Sequence, residues 1–268
     1  MRILVFVKEV LDPDAVNNYA LAGRLSIGED GRTITQSAIP RLMNAYDEQA
    51  MEAALRIRDA GIGCAITAVS AGPDQGAILK HAASLGADEI VSLQADTTSM
   101  DCMGVAAMLS AYVRHSGGGD LLLFGRQASD DDQGVVPALV AEALGMPLVT
   151  IARDLSVDAG APAVRVTRVT PLGDEVVECD CPAVVTVSSE LGQPRYPTAA
   201  RMMAARRMQP VSLVPGDVSL DPASLKPAVR LEKLYTPQVQ GNCEFVDGET
   251  AREKARQLVQ RLRAENIL

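Results

Sequence analysis

Asp120-Leu121-Leu122-Leu123-Phe124-Gly125-Arg126-Gln127-Ala128-Ser129-Asp130-Asp131-Asp132-Gln133-Gly134 passes from an unbroken apolar run into a polar loop and then into a helical pattern. An apolar run of this kind reads as a strand buried on both faces, which is the habit of parallel sheets. The helix is expected over Gly134–Leu144, closed by Gly145 and Pro147. A buried strand feeding a helix is one unit of a parallel α/β sheet. Upstream, the same alternation repeats. Strands are expected over Ile3–Val7, Cys64–Ser70 and Glu89–Leu93. Helices are expected from Asn44 to a stop at Gly61, over Gly76–Leu85, and over Asp101–His115 with Met103, Ala106 and Ala107 toward the sheet. The fold class is therefore α/β, a doubly wound, mostly parallel sheet, with its loops at one edge.

Beyond residue 150 the pattern changes. Ala163–Val169 and Glu175–Cys181 alternate around Pro171-Leu172-Gly173-Asp174 and read as an added antiparallel hairpin. Ala183–Val187 is a further buried strand. Glu190–Pro210 is basic and without a strong period, and Val211–Gly241 is Pro-rich and expected to be extended. Thr250–Ala264 is a charged helix with Ala251, Ala255, Leu258 and Leu262 on one stripe. Near the start, Lys8–Pro40 is polar, with Asp30-Gly31 as a hairpin turn. Two regions are expected: 1–189 as the α/β domain, and 190–268 as an extended C-terminal arm with its helix.

Composition removes several functions. The 268 residues carry 25 Lys plus Arg against 34 Asp plus Glu, a formal charge of −9, so no general nucleic-acid binder is expected. Aromatic residues are 3%, with no Trp, which argues against a broad stacking platform. Cys179 and Cys181 form a pair without a second pair, so no zinc site is expected. His81 and His115 lie in helical patterns without a nucleophile's motif. No targeting segment is expected before the first strand, and there is no apolar run of about 18 residues. The expectation is a bacterial cytoplasmic protein that is not embedded in a membrane.

Both common phosphate fingerprints are missing: there is no G-x-x-x-x-G-K-[ST] and no G-x-G-x-x-G after the first strand. The loop Gly125–Gly134 is the main candidate site. It leaves a buried strand at its carboxyl end and opens a helix whose free amides favour an anion. Arg126 suits a phosphate. Among the three Asp, one is available to cap the helix or to accept from a ribose hydroxyl; an acidic first turn that only stabilises the helix is the plain alternative. Loops beginning at Lys8 and at Ser70-Ala71-Gly72-Pro73 converge on the same edge, and Asn44-Ala45-Tyr46-Asp47 approaches from the side.

These residues resemble the beta subunit of electron transfer flavoprotein. Ile3–Val10 is similar to the family's opening strand. Met43-Asn44-Ala45-Tyr46-Asp47-Glu48 is similar to its N-P-F-D-E helix start, and Gly125–Asp132 to its G-K/R-Q-A-I-D-x-D loop. Val69–Pro73 and Leu85–Asp88 are further matches, and Gln193-Pro194-Arg195-Tyr196-Pro197-Thr198 resembles E-P-R-Y-P/A-S/T. The likeness runs from the first strand to about Met208.

The resemblance implies an adenine nucleotide alpha hydrolase-like domain in a heterodimer with an alpha subunit. It implies an electron carrier, not an enzyme. Electrons arrive from flavin dehydrogenases docked on Gln193–Met208 and leave to a quinone reductase, through an FAD shared with the alpha subunit. It places AMP, or a second FAD in electron-bifurcating members, in a pocket of Phe6, Asn44, Ala45, Tyr46, Asp47, Ala71 and Gly125 through Val136, with Val135 included. Arg195 and Tyr196 are implied to approach the flavin. After the three Asp the chain reads Gln133-Gly134-Val135-Val136-Pro137. That is neither the N-x-T-G of AMP-type members nor the D-G-D-T-A-Q-V-G of bifurcating ones, so both nucleotides stay open. Ala199 stands where the family's docking arm has Leu, which turns attention to Met202 and Met203. A stand-alone nucleotide-binding regulator or hydrolase of the same fold is the remaining alternative.

Overall fold

The computed structural model describes residues 1–158, 160, 163–236 and 243–268. It packs as two units, Met1–Leu234 and Tyr235–Leu268.

In chain order the first unit contains β1 (Arg2–Phe6), β2 (Glu9–Leu11), α1 (Pro13–Leu21), β3 (Arg41–Met43) and α2 (Ala45–Asp59). Then follow β4 (Ala65–Gly72), α3 (Gly76–Leu85), β5 (Glu89–Gln94), α4 (Cys102–His115), β6 (Leu121–Gly125) and α5 (Val136–Leu144). The rest is β7 (Leu148–Val157), β8 (Ala163–Thr170), β9 (Gly173–Asp180), β10 (Ala183–Val187), α6 (Ala199–Arg207) and β11 (Val211–Leu213). The second unit holds α7 (Ala251–Ala264).

The main sheet has the order β11-β5-β4-β1-β6-β10-β7-β8-β9. Every pairing from β11 to β7 is parallel, and β7-β8 and β8-β9 are antiparallel. β1, β6 and β10 are apolar at nearly every position because helices cover both faces. Alternation along β1 sorts its side chains. Ile3 and Val5 join the core under α2 and α3, while Leu4 and Phe6 join the core under α4. From β1 the chain moves outward through β4 to β5, then returns across β1 to β6. The switch point of the sheet therefore lies between β1 and β6, and open α/β sheets bind ligands at such crevices.

Several expectations are corrected. Met103 is 53% exposed and does not face the sheet, although Ala106 does. β7 was not expected. A bulge near Ile151 shifts its register against β10 and erases the alternation by which strands are read. The stretch Lys8–Pro40 contains β2 and α1 as well as a bridge between Ile27 and Ile34 around Gly31. The basic stretch after Glu190 is not wholly extended. Ala199–Arg207 is a helix capped by Thr198, and Ala205 is its buried residue. Its sequence AARMMAARR has helix-forming residues but no apolar stripe, so periodicity could not reveal it. β11 turns part of the Pro-rich segment into an edge strand of the sheet. Residues 237–241 of that segment lie outside the described residues.

Candidate functional site

Asp47 and Asn44 build the crevice by holding its two walls together. Asp47 is buried in the first turn of α2, where its carboxylate suits the positive helix end. Oδ2 accepts from the backbone N–H of Lys8 at 2.8 Å, and Oδ1 from that of Gly125 at 3.0 Å. One carboxylate thus joins the loop after β1 to the end of β6. Burial pushes the Asp47 carboxyl up to about 7, against the pull of those N–H donors and of Asn44. Asn44 precedes α2 but does not cap it with its side chain. Its Nδ2 donates to the Gln127 carbonyl at 2.8 Å, and its Oδ1 accepts from the Ser129 N–H at 3.2 Å. Gly125 must be glycine for this approach, since a Cβ there would lie 2.4 Å from Asp47 Oδ1 and 2.8 Å from the Tyr46 carbonyl carbon.

The walls enclose a cavity of about 480 Å³ at the carboxyl ends of β1, β4 and β6. That size falls within the usual range for small-molecule sites, roughly 300–1,000 Å³. Phe6 and Phe124 line it and stack on each other, with ring centroids 4.4 Å apart and planes 10° apart. Composition argued against an aromatic platform, yet two of the three Phe meet at the switch point. Ala71, Val69 and Val136 continue the apolar wall. Lys8, Asp130, Asp131 and Gln133 stand at the rim, where Lys8 Nζ donates to Asp130 at 2.7 Å and to Asp131 at 3.4 Å.

Of the expected site residues, the cavity gathers Phe6, Asn44, Asp47, Ala71, Gly125, Gln127, Ala128, Asp130, Asp131, Gln133, Gly134, Val135 and Val136. Ala45, Tyr46, Arg126, Ser129 and Asp132 do not line it. The Arg126 guanidinium lies over the Tyr46 ring at 5.9 Å. It lines a separate hollow of about 260 Å³ on the other side of the loop, with Thr150, Ile151 and Thr186. Ile151 has φ 62°, a strained value for a β-branched residue, and its N–H donates to Thr186 Oγ at 3.0 Å. Asp132 accepts from Gln127 Nε2 at 2.7 Å. None of the three Asp caps α5. The loop stays non-helical through Gly134, whose φ is 61°, and the helix opens at Val136.

Sequence reasoning missed the side of the cavity formed by Thr97, Thr98, Met100, Asp101 and Cys102. These follow β5, a parallel strand like the others, so the rule about strand ends would have found them. Asp101 Oδ1 accepts from Met103 and Gly104 N–H and caps α4, while Oδ2 accepts from Ala228 and Val229 N–H. The Gly104 N–H above all, with the other three, holds its carboxyl below the usual range.

Arg195 and Tyr196 lie away from the cavity. Arg195 Nε donates to Glu52 Oε2 at 2.7 Å and Nη2 to Oε1 at 3.1 Å. Nη2 also reaches Asp59 at 2.7 Å. Glu52 is buried on α2 and also accepts from Arg56 Nε at 3.1 Å. Burial pushes its carboxyl up, but the two guanidiniums outweigh this and hold it below the ordinary value. Arg201 Nη1 donates to the Leu85 carbonyl at the end of α3. The arm is therefore clasped to α2 and α3, and presents Tyr196, Met202 and Met203 outward, 83%, 43% and 62% exposed.

Among the described residues no group of three or more His, Cys, Asp or Glu is placed to hold a metal ion. Among the described residues, too, no helix is long and apolar enough to cross a membrane. Residues 32–215 match the model of the electron transfer flavoprotein domain. Over the full length of both chains, this one is 30% identical to the caffeyl-CoA reductase-Etf complex subunit CarD of Acetobacterium woodii. It is 28% identical, again over the whole of both, to the electron transfer flavoprotein subunit beta of Megasphaera elsdenii. It is 30% identical to the corresponding subunit of Mycobacterium leprae over 82% of this chain and 81% of that one.

Proposed function

The chain belongs to the electron transfer flavoprotein family, as an electron carrier of the beta-subunit type, and on that premise we propose that its switch-point cavity holds AMP. The observation that carries this reading is the cavity itself. The family's loops meet there around an apolar wall, and Asn44 and Asp47 fix the walls without spending themselves on a ligand. An adenine ring is suited to the Phe6, Val69, Ala71 side, and a phosphate to the loop amides before α5. Such a nucleotide is structural: it fills the crevice and stiffens the loops that Asp47 joins.

The redox chemistry belongs to an FAD shared with an alpha subunit, whose flavin takes and gives up electrons. This chain's residues shape one side of that site and the contact with the partner. Arg126 and Tyr46, on the far side of the loop from the cavity, offer an aromatic face with a cation over it. With Arg195 occupied by Glu52 and Asp59, Tyr196 is the member of that pair available to a second subunit. Residues 190–268 serve contact: α6 toward flavin dehydrogenases, and α7 toward the alpha subunit. On α7, Ala251, Ala255 and Leu258 are exposed, with Leu262 half-buried. Transfer onward to a quinone reductase and a bacterial cytoplasmic setting complete the reading. The five free cysteines suit a reducing compartment.

Co-expression with the cognate alpha subunit tests it. A heterodimer on a sizing column, yellow and reducible by a flavin dehydrogenase with its substrate, is expected. A stable monomer or homodimer that binds nucleotide and ignores the alpha subunit would replace the reading with a free-standing regulator or hydrolase.

A further inference from the structure

Lys8 lines the switch-point cavity, and the sheet fixes where it stands. Its backbone N–H is held by Asp47 at 2.8 Å as the chain leaves β1. Its side chain is 45% exposed, and its Nζ bridges the cavity rim to Asp130 and Asp131. Arg41, the other cation lining the cavity, is engaged by Glu9 at 3.0 Å and is largely exposed at the start of β3. The side chains of Asn44 and Asp47 are already committed to backbone partners.

A half-exposed ion pair such as Lys8–Asp130 is weak, so it exchanges readily. An ammonium–phosphate contact is charge-assisted and stronger. The two carboxylates remain at the rim after such an exchange. One phosphate then takes the ammonium, but a second phosphate beside it meets Asp130 and Asp131, with like charges repelling at short range.

We propose that Lys8 is the phosphate-recognising residue of the cavity, and that Asp130 and Asp131, its partners in the structure, select against nucleotides with more than one phosphate. This rests on the nucleotide reading above and adds to it the residue and the rule of selection.

The test uses the heterodimer freed of nucleotide, titrated calorimetrically with adenosine, AMP and ADP. AMP should bind more tightly than adenosine, and ADP more weakly than AMP. Lys8→Gln should cost AMP about 10- to 100-fold while leaving adenosine unchanged, the size expected for one charge-assisted contact. Retained adenosine binding also shows that the variant is folded. Asp130→Asn with Asp131→Asn should narrow the gap between AMP and ADP. If Lys8→Gln keeps the native ratio of AMP to adenosine, or if ADP binds the native protein as well as AMP, the inference is wrong and the AMP site stands. If none of the three binds the native protein, the nucleotide reading and the inference fall together.

Discussion

Gly125→Ala puts a single methyl group at the tightest point of the crevice. The added Cβ would stand 2.4 Å from Asp47 Oδ1, 2.7 Å from Tyr46 Cβ and 2.8 Å from the Tyr46 carbonyl carbon. Two of those three atoms have no freedom apart from the α2 backbone. Ordinary carbon contacts need about 3.5–4.0 Å, so the first turn of α2 must move by about 1 Å. Such overpacking costs about 1–3 kcal/mol. The same movement pulls Asp47 from the Gly125 N–H, and leaving buried partners unmade costs a further 1–3 kcal/mol or so. The expected loss is about 2–6 kcal/mol, concentrated at the loops that enclose the cavity. Urea unfolding of the heterodimer and the nucleotide retained after dialysis are the assays. Gly63→Ala is the control, because a Cβ there meets nothing within 4 Å. If Gly125→Ala unfolds and retains nucleotide like Gly63→Ala, the close packing of α2 against β6 does not hold the site.

Three further outcomes are expected. Glu52→Gln should destabilise by about 1–3 kcal/mol through the Arg195 clasp, discounted for its partly exposed arginine. Because the folded Glu52 carboxyl lies below its ordinary 4.5, its contribution is present above that value and is lost as pH falls through the folded one. The gap between native and variant should therefore close in acid, and a gap that widens there would refute the clasp. Asp47 runs the other way: its folded value near 7 exceeds the ordinary 3.8, so the folded state keeps a proton that the unfolded chain has released. Native stability relative to Asp47→Asn should fall between about pH 4 and 7 and level off above, as read from urea midpoints; a flat difference would mean that Asp47 is ionised throughout. On the arm, Met202→Ala should slow electron transfer from a flavin dehydrogenase about tenfold without changing unfolding, as an apolar anchor at an interface would. Loss only on charge reversal of Arg206 and Arg207 would make the docking electrostatic instead.

The parallel sheet was legible because strands covered on both faces leave unbroken apolar runs, as in Leu121–Phe124 and Ala183–Val187. β7 was not, because the strained turn at Ile151 breaks its alternation. α6 was not, because a helix that buries Ala205 alone needs no apolar stripe. The loops of the cavity are legible as strand ends, the one after β5 by that rule alone. What no local pattern could show was the partnering. Asn44 meets Gln127, Asp47 meets Gly125, Lys8 meets Asp130 and Arg195 meets Glu52, each across dozens of residues. A residue type announces that it can bind; only the fold decides whether its partner is a ligand or the protein itself. Asn44 and Asp47, read from sequence as pocket residues, both line the cavity, and their side chains also tie its walls together.

We propose a carrier subunit with one nucleotide in its own cavity and a flavin shared with its partner. Mass spectrometry of the nucleotides released from the denatured heterodimer, quantified per pair of chains, tests that claim most directly. One FAD and one AMP are predicted. Two FAD and no AMP would place a second flavin in the switch-point cavity and contradict it.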